Sequence, residues 1–61
     1  MKRYVIYSLE DRKYYNESGA GYWSQEVSEA TKYESITEAR TKLYKDGFPS
    51  GYYEIKEIFI R

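Results

Sequence analysis

The chain contains no cysteine, no histidine and a single proline. Without cysteine there is no disulfide to staple the fold, and no thiolate to bind zinc or attack a substrate. Without histidine the commonest metal ligand is missing, together with the side chain that most often serves as a general base near neutral pH. Net charge is absent too: ten basic residues cancel ten acidic ones. Such a chain has no global field to draw in nucleic acid or an anionic membrane. No apolar run approaches the ~20 residues that span a bilayer. The start, Met1 to Tyr7, is basic like a signal peptide. It lacks the apolar centre and small-residue cleavage site of one, and reads as a first strand. These gaps argue against the common nucleophile–base enzymes, against a metal or cofactor, and against insertion in a membrane. A cysteine-free chain suits a reducing compartment, so a cytoplasmic location is expected.

What the chain has in quantity is aromatic surface. Nine tyrosines, two phenylalanines and one tryptophan make up 20% of its 61 residues. A chain of this length forms one domain, residues 1–61, with a modest core. Rings that bury large areas are the available compensation, and tyrosine adds a polar tip suited to the rim.

Arg3 to Ser8 is β-branched and aromatic and predicts a strand. Leu9 to Arg12 supplies a turn, and Lys13 to Asn16 returns as an antiparallel partner. Glu17 to Gly21 is a polar loop containing glycine. Gly21 to Val27 predicts a third short strand, with Trp23 and Val27 facing inward and Tyr22 outward. Ser28 to Tyr33 predicts one helical turn capped by Ser28. The clearest local pattern is Ser35-Ile-Thr-Glu38, an S-x-x-E capping box. It is followed by an apolar stripe of Ile36, Ala39 and Leu43, by Lys42 and Lys45 in the last turn, and by Gly47 and Pro49. A helix over about 36–46 follows. It is too short to persist alone in water and must dock on a sheet. The fold class expected is α+β: three to four strands, antiparallel or mixed, with this helix on one face. Val5, Ile6, Trp23, Ala39, Leu43, Ile55 and Ile58 are expected to be largely buried.

The last strand, Tyr52 to Ile60, does not keep one apolar parity. Tyr53, Ile55 and Phe59 share a face, while Ile58 and Ile60 take the other. Three explanations are open: a strand covered on both faces, a bulge near Lys56-Glu57 that shifts the phase, or Ile58 and Ile60 in a partner interface. One helix covers one face, so a homodimer or a protein partner is a physical suggestion.

For binding chemistry, Gly19-Ala-Gly21 is a G-x-G that would let consecutive N–H groups cup a small anion. It lacks the further glycines and following helix of a phosphate loop. Arg3 and Lys13 sit beside tyrosines, as in a stacking surface for nucleic acid. Glutamate interleaves throughout, and without a basic excess nucleic acid is the lesser reading. Nine tyrosines exceed what one helix-on-sheet layer can bury. Tyr14, Tyr15, Tyr22, Tyr52 and Tyr53, which flank loops and turns, are the candidate partner-binding patch. The leading expectation is a non-enzymatic protein-binding module. The alternatives are a nucleic-acid or nucleotide-signal binder using Arg3, Lys13, Gly19 and Gly21, and a structural homo-oligomer subunit.

The thirteen residues from Val27 to Ala39, VSEATKYESITEA, resemble a pattern found in many short proteins of bacteriophages and mobile elements. In those proteins a strand hairpin, this capped helix and a closing strand follow in order. Where such proteins are understood, they are frequently inhibitors of host enzymes or of antiviral defence. The resemblance implies an accessory factor or inhibitor that blocks a host protein surface. Its motif is structural and carries no functional residues over.

Overall fold

The structure is a computed structural model that describes residues 1–18, 21–49 and 51–60. Strands β1 (Lys2–Ser8), β2 (Lys13–Asn16) and β3 (Tyr22–Ser24) precede a 3-10 turn at Val27–Glu29. Helix α1 (Ile36–Lys45) and strand β4 (Tyr53–Phe59) complete the chain. The four strands form one antiparallel sheet in the order β3-β2-β1-β4. The helix packs on one face of this α+β fold; among the described residues the opposite face has no helix.

Alternation along β1 sorts the side chains. Tyr4 and Ile6 point to the helix side, where they join Tyr15, Tyr33 and Ala39 in the core. Val5 and Tyr7 therefore point the other way. Register extends the sorting across the sheet. Ile6 lies opposite Ile55, Ser8 opposite Tyr53 and Lys2 opposite Phe59, all on the helix side. Val5 lies opposite Lys56, Arg3 opposite Ile58 and Tyr7 opposite Tyr14, all on the open side.

The helix begins as its sequence dictates. The Ser35 hydroxyl accepts from the Glu38 N–H at 3.1 Å, which is one half of a capping box. It ends in a Schellman motif. Gly47, at φ 69°, donates to the Tyr44 C=O, and Phe48 donates to the Leu43 C=O. That motif turns Phe48 back onto the sheet. There it meets Tyr15, Trp23 and Tyr53 at centroid distances of 5.3, 5.6 and 4.9 Å. Trp23 also stacks on Tyr53 at 5.5 Å. Rings from the two outermost strands thus converge above buried Ser8, whose small side chain leaves them room. Trp23 closes the core; it is not displayed on the loop that precedes it.

Three expectations need correction. Ser28 caps no helix: it lies inside the 3-10 turn, whose N-cap is Glu26, and residues 31–33 are extended. Tyr33 forms a backbone bridge to Tyr4, with N···O distances of 2.9 and 2.8 Å, and long-range pairing overrides the local helical preference. Val27 is 38% exposed because β3 ends before it, at Ser24. No bulge interrupts β4, since its register with β1 runs unbroken from Phe59 to Tyr53. Val5, Ile6 and Ala39 are fully buried, as expected. Trp23, Leu43 and Ile55 are half-buried on the helix side, and Ile58 is half-buried on the open side.

Candidate functional site

The helix-free face is a tyrosine surface. Tyr7 and Tyr14, paired across β1 and β2, hold their rings 4.9 Å apart. The Lys56 ammonium lies 4.1 Å from the centre of the Tyr7 ring, a cation–π contact. Tyr22 extends the surface on β3; its hydroxyl accepts from the Asn16 amide at 3.0 Å, and it remains 45% exposed. Asn16 also donates to the Glu29 C=O, which ties the 3-10 turn to this end of the sheet. Arg3 and Ile58, opposite each other in register, close the other end. Tyr52 and Leu9, both exposed, meet through a backbone hydrogen bond just beyond the last row. A sheet face exposed to water ordinarily presents short polar side chains. This one presents rings with wet tips.

The candidate residues do not all gather here. Tyr14 and Tyr22 share the open face, with Tyr52 at its margin. Tyr15 is a correction: it is 8% exposed, belongs to the core and cannot meet a partner. Tyr53 is half-buried in the ring cluster on the helix side. Adjacent residues of a strand face opposite ways, which separates Tyr14 from Tyr15 and Tyr52 from Tyr53. Arg3 lies on the open face, whereas Lys13, opposite Ser8, lies on the helix side, so the proposed pairing of the two cations is not formed. Gly19 lies outside the described residues. Gly21 has a structural role: at φ 86° its Cα hydrogens face the Tyr15 ring, and a β-carbon there would sit 2.9 Å from the Tyr15 hydroxyl oxygen. Tyr7 and Lys56 were missed. Both were visible as strand residues, but their placement depends on the register between strands.

The polar groups on the helix side form a brace. Tyr15 donates to Asp46 at 3.3 Å and Tyr33 donates to Glu17 at 2.9 Å. The Lys42 ammonium sits between the two carboxylates, 3.3 Å from Asp46 and 3.6 Å from Glu17. Burial first, then the neighbouring carboxylates, push both tyrosine hydroxyls above their ordinary value of 10.0. The hydrogen bond to Asp46 raises Lys42 as well. These groups hold helix, loop and sheet together.

Comparison with protein-family models, with curated proteins and with solved structures finds no match. Among the described residues no helix is long and apolar enough to cross a membrane.

Proposed function

We propose that this chain is a non-enzymatic protein-binding module whose contact surface is the helix-free face of the sheet. It acts as an accessory factor or inhibitor of the bacteriophage type by covering a partner's surface. The observation that carries this reading is the set of Tyr7, Tyr14, Tyr22 and Lys56 on a sheet face that, among the described residues, no second layer covers. Tyrosine offers large contact area at low entropic cost and is enriched where interfaces carry their energy. A centre of half-buried rings with Arg3 and Asn16 at the margin has the anatomy of such a patch.

The test is capture from bacterial lysate by the immobilised chain, with and without nuclease. The comparison is a Tyr14→Thr/Tyr22→Thr variant, which keeps residues suited to a strand. One stoichiometric protein that survives nuclease, and is lost with a variant that melts like the parent, supports the reading. Capture unaffected by the two substitutions refutes it.

A second reading is favoured by the cation over the Tyr7 ring. An exposed sheet with aromatic and basic side chains is also how single-stranded nucleic acid is stacked. On that reading nucleic acid is recovered in place of protein, and binding weakens steeply with salt.

A further inference from the structure

Among the described residues the long edge of the sheet is unpaired, and it lies beside an apolar groove. Because the order is β3-β2-β1-β4, the two edges are β3, three residues long, and β4, seven residues long. On β4 the Tyr52 C=O accepts from Leu9, and Ile60 exchanges hydrogen bonds with Met1. By alternation the even-numbered residues of this strand bond inward to β1. The N–H and C=O groups of Tyr53, Ile55, Glu57 and Phe59 therefore point outward. The side chains of these same four residues lie on the helix side, where α1 does not fully cover β4. An open groove of about 660 Å³ runs there, lined by Ile36, Arg40, Tyr44, Phe48, Tyr53 and Ile55 among others. Ile36, Tyr44 and Phe59 are 43%, 89% and 75% exposed.

We infer that a second copy of this chain pairs its β4 antiparallel to the first, across a two-fold axis at Lys56. The groove and the strand complement each other only in that register. Phe59 of one copy then lies opposite Tyr53 of the other, at the helix C-terminal end where Tyr44 and Phe48 wall the groove. Glu57 lies opposite Ile55, and the charged side chain lining the groove beside it is Arg40. The Glu57 carboxylate has an exposed ion partner in its own chain, Lys2 at 3.8 Å, and the dimer adds the other copy's guanidinium beside it, twice by symmetry. Centring the axis on Glu57 would set two carboxylates face to face, which is destabilising. Centring it on Ile55 would carry Phe59 past the groove to Gly51. At the axis the two Lys56 ammonium groups are kept apart, because each is drawn over its own Tyr7 ring. The dimer is one continuous sheet of eight strands, four from each copy. Both helices lie on one side and both tyrosine faces on the other. The interface runs along the β4 edge and shares only Lys56 with the proposed partner surface; it rests on other observations and is tested separately.

The test is sedimentation across protein concentrations from about 1 μM to about 1 mM, with amide hydrogen exchange at both ends of the range. The expected result is a rise from 7.4 kDa to twice that mass, with concentration-dependent protection at Tyr53, Ile55, Glu57 and Phe59 only within β4. Arg40→Glu and Glu57→Arg should each weaken the dimer about tenfold, and the double exchange should restore it. Phe59→Asp, at an exposed position that folding does not need, should leave a monomer. A monomer at every concentration overturns the inference. So does a dimer indifferent to Phe59→Asp, or protection at the even-numbered residues instead.

Discussion

Replacing Phe48 by alanine tests what holds this small core together. Phe48 is half-buried, so deleting its ring forfeits about 1.2 kcal/mol of transfer free energy, half the usual value for a fully buried phenyl. It also ends three ring contacts, with Tyr15, Trp23 and Tyr53. Each is worth at least about 0.5 kcal/mol beyond area. Together these predict a loss of about 3 kcal/mol. A domain of this length has roughly 3–9 kcal/mol in all, so the midpoint of thermal unfolding should fall by about 12–24 °C. The assay is thermal and urea unfolding followed by far-UV circular dichroism and by Trp23 emission. Emission should shift to the red, because Trp23 loses the ring that packs against it on the helix side. Phe48→Leu separates the two contributions: it restores apolar bulk without ring geometry and should recover about half the loss. A Phe48→Ala loss under about 1 kcal/mol with unchanged emission would refute the view that ring packing closes the core.

The remaining predictions concern the backbone and the brace. Gly21→Ala forces a side chain into a positive φ and against the Tyr15 hydroxyl, and should cost about 2–3 kcal/mol by chemical denaturation; a neutral result would mean the loop yields freely. Arg12 is the one non-glycine residue at positive φ among those described, at 56°. Arg12→Gly should relieve that strain for a net gain of roughly 0.5 kcal/mol, a rise of about 2–4 °C, and a fall on substitution would contradict it. Raised hydroxyls at Tyr15 and Tyr33 set the alkaline limit. Below their ordinary pKa of 10.0 both are neutral folded and unfolded, so they give no pH dependence. Above it the unfolded chain loses the protons before the folded chain does, and stability falls with rising pH until the folded hydroxyls ionise in turn, by at most about 1.4 kcal/mol per pH unit for one group. Lys42, also raised, acts in the same direction. The Tyr15→Phe/Tyr33→Phe variant should show a flatter decline from pH 10 to 12 in urea melts, and an unaltered slope would exclude the two hydroxyls as its source.

Features decided within one turn of chain were legible from sequence. Ser35 and Glu38 mark the helix start, Gly47 marks its end, and Lys13 to Asn16 is the strand expected. Features decided across the sheet were not. The stretch after Val27 looks helical by composition, but Tyr33 is drawn into an extended bridge by Tyr4. The mixed parity of β4 admits three explanations from sequence, and only the unbroken register with β1 removes the bulge. Nearness to turns groups Tyr14 with Tyr15 and Tyr52 with Tyr53, although the members of each pair lie on opposite faces. Strict alternation would have parted Tyr14 from Tyr15, yet only register joins Tyr7 to Tyr14 and brings Lys56 over the ring.

The excess of tyrosine follows from the missing second layer. Val5 faces the helix-free side and is nevertheless fully buried. Its neighbours there are Lys56 in register and Arg3 and Tyr7 along the strand, all side chains with apolar stems or rings and polar ends. Such side chains lie flat over a small apolar residue while keeping their polar ends in water, which short polar residues cannot do. By register and alternation these are the side chains placed to cover Val5 on that face. Leucine or isoleucine at Tyr7 would cover Val5 equally well but, with the same change at its neighbour Tyr14, expose an apolar patch of the kind that drives nonspecific association. Serine or threonine would leave Val5 wet. Tyrosine satisfies both demands, and a surface built this way for stability already has the composition of a binding surface.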